Sequence, residues 1–327
     1  MEEEKEKGYV VQIDWVRHGL ACHNVMRHYG GFLGGIKQKL LLDPELTDKG
    51  YEEAKKAGAC LGGIRNEYDI VCASVMSRAI ETAIGIFAGT GREINVIPYV
   101  NERGAGKENT SRDTLLDLER NIRMFQRKKR TNVRINYNFV DRAYFPTIFS
   151  KTRLRKTDIW EDTKKSSEEK FFKYIVPLLV KRIGVCRSTF ELKIRDHESI
   201  SIPLFRICIV SHGGFIREIT KVNRFIRADG ARKYKTSVLC HTPGSNEPDC
   251  CVENDRKISN RKTYKNPNTS VWRLFSLFYN ERMIKRVKLY KIYTPTSGGA
   301  ERGDGHGKLK RADVASCTEE VRRLIKE

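Results

Sequence analysis

Two histidines carry the chemistry this chain can be read to perform. The first lies in Val10–Asn24, where Val10, Val11, Ile13, Trp15 and Val16 form a β-prone apolar run that ends directly in Arg17-His18-Gly19. A cation and an imidazole thus fall at the carboxyl end of a buried strand, the edge where open α/β sheets bind ligands. Gly19 permits a tight turn and a close backbone approach to a bound group. A neutral imidazole nitrogen is a competent nucleophile toward phosphorus. A neighbouring guanidinium offers forked donors that match phosphoryl oxygens. The second histidine, His212, sits in Ser211-His212-Gly213-Gly214 after the apolar run Phe205–Val210. Adjacent parallel strands would bring His18 and His212 to one edge.

The elements that must position these groups follow from periodicity and caps. Thr47 is a plausible N-cap for a helix over 48–61, closed by Gly62-Gly63. A strand is expected at 69–73, a helix at 74–88 with Arg78 near its start, and a third strand at 93–99. Ser166 and Glu169 fit a capping box that opens a helix over 167–183. Strands are expected at 270–278 and 284–293. Residues 25–45 read as a Gly-rich loop. Strands alternating with helices make an α/β fold, a three-layer α/β/α sandwich around a mostly parallel sheet. One domain is expected over 8–293, with basic insertions near 107–165 and 223–267. The remainder, 294–327, reads as a linker and a tail whose residues 312–327 could form an amphipathic helix.

Composition narrows the class. The 327 residues carry 62 Lys and Arg against 41 Asp and Glu, a formal charge of +21 that favours anionic ligands. No apolar run approaches the roughly 20 residues that span a bilayer. Nine scattered cysteines read as thiols of a reducing compartment, so the expected location is cytoplasmic. Cys240-His241 and Cys250-Cys251 match no usual zinc spacing, and neither metal nor cofactor is expected. From Arg120 to Lys156 twelve Lys or Arg face one acid, Asp141, with aromatics interleaved. That stretch is either a solvated face, a gate for an anionic substrate, or a patch for nucleic acid or an acidic partner.

Six segments, in order, resemble the phosphoglycerate mutase-like histidine phosphatases, in the branch that contains the mutases. They are RHGLACHN (17–24), LTDKGYEEA (46–54), SVMSRAIETA (74–83), NERGAG (101–106), VSHGGFIR (210–217) and NTSV (268–271). The resemblance implies that His18 is the phosphoryl acceptor, that Arg17, Arg78 and His212 bind the phosphoryl group together with Gly19 and Gly213, and that Asn24 lines the pocket. It implies that Glu102 protonates the leaving oxygen and then activates water, with Glu81 and Glu108 as alternatives. Lys107 is a candidate substrate contact. Cys22 and His23, which depart from the family's usual residues, read as rim or packing residues. The expected function is a metal-independent phosphomonoesterase acting on a phosphorylated small molecule or phosphoprotein. The alternatives are a mutase, or a binding protein for nucleic acid or an acidic partner on the same scaffold.

Overall fold

The computed structural model describes residues 8–29, 33–102, 107–109, 114–141, 166–195, 198–220, 268–279, 282–293 and 315–317. The expected insertion at 223–267, the Cys240 and Cys250-Cys251 clusters, the linker and most of the tail lie outside these residues. Strand β1 (Tyr9–Arg17) leads into helix α1 (Cys22–Tyr29), followed by α2 (Asp48–Leu61), β2 (Ile70–Ser74), α3 (Ser77–Phe87) and β3 (Ile94–Ile97). Helix α4 (Leu115–Lys129) and the two-residue strand β4 (Ile135–Asn136) come next. A helical stretch then runs through α5 (Ser167–Lys170), a π-helical turn (Phe171–Ile175) and α6 (Val176–Ile183). Strands β5 (Ser188–Arg195) and β6 (Glu198–Ser211), helix α7 (Gly213–Thr220), and strands β7 (Val271–Tyr279) and β8 (Arg282–Tyr293) complete the body.

The eight strands form one sheet in the order β4-β3-β2-β6-β1-β7-β8, with β5 paired to the amino half of β6. The pairings from β4 through β1 are parallel; β7, β8 and β5 join antiparallel. The α/β sandwich with a mostly parallel sheet is therefore as expected. Helices cover both faces. On one side Val16, Val71 and Ala73 meet residues of α2, α3 and α4; on the other Val11, Ile13 and Trp15 meet Phe171, Ile175, Leu179 and Phe215. A strand buried on both faces needs apolar residues at consecutive positions, which explains why β1 reads as a run rather than an alternation.

One charge interrupts that run. Asp14, fully buried, receives a forked pair of hydrogen bonds from Arg273 on β7, each 2.8 Å, and a third from the Tyr68 hydroxyl at 2.6 Å. With its oxygens satisfied the carboxylate is tolerated; removing Arg273 alone would leave it stranded.

Several local expectations hold and others need correction. Thr47 caps α2 by accepting from the Gly50 amide, and Ser166 and Glu169 form a reciprocal capping box. The segment after Asn24, read as a loop, is helical from Cys22 to Tyr29 and again over Gly34–Lys37. The basic stretch from Arg120 begins inside the body: Leu118, Ile122 and Phe125 of α4 are core residues, and β4 extends the sheet. The reading of all nine cysteines as thiols is overturned. Cys22 and Cys317 form a disulfide with Cα atoms 5.6 Å apart, and Cys60 is disulfide-bonded as well. Cys72 and Cys208 are free and buried in apolar surroundings, as their strand positions imply. The cysteine argument for the cytoplasm falls with that correction. No helix among the described residues is long and apolar enough to cross a membrane.

Candidate active site

The parallel pairing of β1 with β6 sets Arg17 opposite Ser211, so the residues that follow emerge side by side. His18 donates its backbone amide to Ser211 O at 2.9 Å, and the ring centroids of His18 and His212 lie 5.2 Å apart. Both rings are buried. Glu102, at the end of the segment leaving β3, joins them: one ligating atom from each of His18, Glu102 and His212 lies within 4.8 Å of the others.

The loop bearing His18 is braced by the helices around it. Gly19 N donates to Thr82 Oγ1 at 2.9 Å, and Leu20 N donates to Glu53 at 3.0 Å. The carbonyl of Leu20 accepts from both the amide and the hydroxyl of Thr47. Gly19 and Gly50 meet backbone to backbone, since a Cβ on Gly19 would fall 2.5 Å from Gly50 O. The Leu-Thr-x-x-Gly and Arg-Ala-x-x-Thr motifs thus exist to hold this loop. On the opposite side, Gly213 and Gly214 at the start of α7 admit two charged groups. A Cβ at Gly213 would lie 3.1 Å from Arg17 Nε, and one at Gly214 would collide with the Glu102 carboxylate. The Gly214 amide donates to Glu102 Oε1 at 3.0 Å, so the helix start fixes the acid's position.

Hydrogen bonding also selects the tautomer of His18. Its Nδ1 lies 2.8 Å from Gly19 O, an atom that can only accept, so Nδ1 carries the proton and Nε2 keeps its lone pair. Burial holds the imidazole's pKa well below the usual 6.5, reinforced by Arg78, His212, Arg17 and His23. The ring is therefore neutral at neutral pH. His212 is held through Nε2, 3.0 Å from Ser74 Oγ, and Ser74 in turn donates to Asn101 Oδ1 at 2.7 Å.

Arg78, fully buried at the start of α3, donates to Glu108 O at 2.8 Å, with Asn109 Oδ1 at 3.5 Å from its second terminal nitrogen. Its charge is felt at His18, as is that of Arg17. Of the alternative acids, Glu81 accepts from the Leu46 amide at 2.7 Å and serves the scaffold. Glu108 packs beside Arg78, its pKa raised by burial, and is not a member of the His18, Glu102, His212 cluster. Asn24 bonds to Ala21 N at 3.1 Å and to His23 Nε2 at 3.0 Å, so it reaches the cluster through His23 rather than directly. Lys107 is exposed in a short 3₁₀ turn at 107–109.

His23 is the residue that the reading of motifs undervalued. Read as rim or packing, it lies partly buried with its ring 5.7 Å from that of His18. The available signal is its position five residues after His18, which the structure places in the first turn of α1. Ser74 had a signal too: it opens the motif that carries Arg78.

Two imidazoles and a carboxylate resemble a metal's donor set, but the neighbourhood argues otherwise. Arg17 and Arg78 flank the cluster and already disfavour positive charge on His18. A divalent cation would meet the same repulsion, whereas a phosphoryl dianion would be attracted.

Parts of the chain are similar to known proteins. Residues 14–134 match the model of the histidine phosphatase superfamily (branch 1). A 72-residue segment is 38% identical to the 2,3-bisphosphoglycerate-dependent phosphoglycerate mutase of Actinobacillus succinogenes, and 36% identical to that of Mannheimia succiniciproducens. Each match covers 22% of this chain and 28% of the relative, so the matched segment spans little more than a quarter of either enzyme. Among solved structures, a mycobacterial glucosyl-3-phosphoglycerate phosphatase overlaps 86% of this chain and 98% of its own at 13% identity, with a TM-score of 0.40. Phosphoserine phosphatase from Entamoeba histolytica overlaps 86% and 97% at 14% identity, with a TM-score of 0.35. The likeness to the histidine phosphatase superfamily, branch 1, is thus carried by residues 14–134, the segment that runs from within β1 through β3 and α4 and holds Arg17, His18, Arg78 and Glu102.

Proposed function

We propose that the chain hydrolyses phosphomonoesters by way of a phosphohistidine on His18. The observation that carries this reading is the state of that ring: Nδ1 tied to Gly19 O, Nε2 bearing the lone pair, and the imidazole kept neutral among two arginines. In the first step Nε2 attacks phosphorus, an N–P bond forms, and the bond from phosphorus to the ester oxygen breaks. Glu102, when protonated, delivers its proton to the departing oxygen. In the second step Glu102 takes a proton from water as the water oxygen attacks, releasing phosphate and restoring the free ring. Arg17, Arg78 and His212 stabilise charge on the transferring group. The substrate class is a phosphorylated small molecule.

Mutase chemistry is the second reading, favoured by the two curated relatives, both phosphoglycerate mutases. It differs only in what accepts the phosphoryl group. The test is phosphate release from an aryl phosphate and from a panel of phosphomonoesters in EDTA, comparing wild type with His18→Ala. Activity that withstands the chelator and falls by roughly 10³ or more in the variant is expected. Activity retained by His18→Ala would overturn the mechanism. Transfer from a bisphosphorylated donor to a monophosphate acceptor, in excess over release to water, would favour the mutase.

A further inference from the structure

A cavity of about 430 Å³ opens at the amino ends of β2 and β3, the edge of the sheet opposite the histidines. β2 alone is five residues long, so this end lies about 16 Å along the strands from the site described above. Its walls bring together Arg92 before β3, Arg134 before β4, and Arg182 and Arg187 from the end of α6 and the turn that follows. Two acids, Asp69 and Glu93, also line it. Each already has a partner: Asp69 accepts from the Arg206 amide at 2.8 Å, and Glu93 from the Asn136 side chain at 3.0 Å. Arg92 is anchored by Asn66 O. Arg134, Arg182 and Arg187 make no ion pair among the described residues and are exposed.

Four guanidiniums line the recess with two carboxylates, and because those carboxylates are bonded to neutral amides they offset only two of the four charges, leaving a formal +2 that favours an anion. Their forked donors match an oxyanion's oxygens, and they come from three different segments, so an anion there could be grasped from several sides. The volume lies within the range of small-molecule sites. We propose that this recess is a second anion site, taking a small oxyanion of two or more charges such as phosphate or pyrophosphate.

The test is calorimetric titration of the full chain with inorganic pyrophosphate in an Arg17→Ala/His18→Ala background, which disables the catalytic pocket. One equivalent is expected to remain bound, and adding Arg182→Ala/Arg187→Ala should weaken it at least tenfold. Arg120→Ala/Arg123→Ala removes the same charge from an exposed face of α4 and should change the affinity less than twofold; thermal melts establish that each variant is folded. Loss of all binding in the catalytic background would overturn the proposal, because the pyrophosphate would then have only one site. Equal weakening by the two arginine pairs would overturn it too, since it would report diffuse charge rather than a recess.

Discussion

The neutrality of His18 has a consequence for stability as well as for chemistry. Unfolded, a histidine titrates near 6.5; folded, His18 refuses the proton until well below that value. Between those two points the unfolded chain binds a proton that the native one does not, so stability falls as pH drops below about 6.5 and is unaffected by this group above it. Melting temperatures of wild type and His18→Asn, followed downward from pH 7.5, should diverge below 6.5, with wild type losing more. Parallel curves would mean that His18 is not held neutral. Glu102 makes a different prediction. An aryl oxide leaves without help, whereas an alkoxide needs a proton, so Glu102→Gln should cost about 10²–10⁴ in kcat on alkyl phosphates and far less on p-nitrophenyl phosphate. A uniform loss across leaving groups would assign Glu102 a positioning role only.

At the scale of elements, the site is a loop gripped by two helices. Gly50 is where that grip is closest, because a Cβ there would meet the Leu20 backbone, 2.8 Å from its amide nitrogen. Gly50→Ala should therefore push the His18 loop away from α2, costing about 1–3 kcal/mol of stability and lowering kcat/KM, with circular dichroism showing the fold retained. Unchanged kinetics would mean that the loop relaxes freely. Tyr99 and Thr269 point the same way. Both adopt left-handed backbone, φ 65° and 57°, one just before Glu102 and the other donating its amide to Arg17 O. Thr269 is β-branched, and such geometry persists only where surrounding contacts impose it. This explains what could be read in advance. β1, β6 and α2 announced themselves through buried runs and caps, and the paired His18 and His212 followed from two strand ends. The Gly-Gly contact and the orienting bond between Ser74 and His212 were hidden because they depend on elements meeting across dozens of residues. The approach of His23, five residues after His18, was missed because the segment that follows was read as a loop and not as the helix α1. Helix α4 was obscured for another reason: its exposed face is so basic that the stripe Leu118, Ile122, Phe125 was masked by charge.

At the scale of the whole molecule, the two ends of the chain are joined at the site's border. Cys317 is tied to Cys22, the first residue of α1, across a separation of 295 residues, and both sulfurs sit among Leu20, Val25, Met26 and Leu41. A bond that closes so long a loop restricts the unfolded chain more than the folded one, typically contributing 2–4 kcal/mol. The start of α1 has other anchors. Cys22 N donates to Glu45 O at 2.9 Å and Ala21 bridges Leu46, so the His18 loop does not depend on the tail for its shape. Breaking this bond should therefore lower the melting temperature by roughly 5–10 °C while changing kcat/KM less than about twofold. Because Cys60 is disulfide-bonded too, dithiothreitol alone does not isolate the effect. The informative comparison is wild type and Cys317→Ser, each with and without reductant, so that the shared contribution of Cys60 cancels. Reductant should lower the wild-type melting temperature more than that of the variant, by the amount the Cys22–Cys317 bond contributes. Equal shifts would mean that joining the chain ends adds nothing to the native state. A large drop in kcat/KM would mean that the tail holds His23 and the His18 loop in place, which the contacts around α1 do not require.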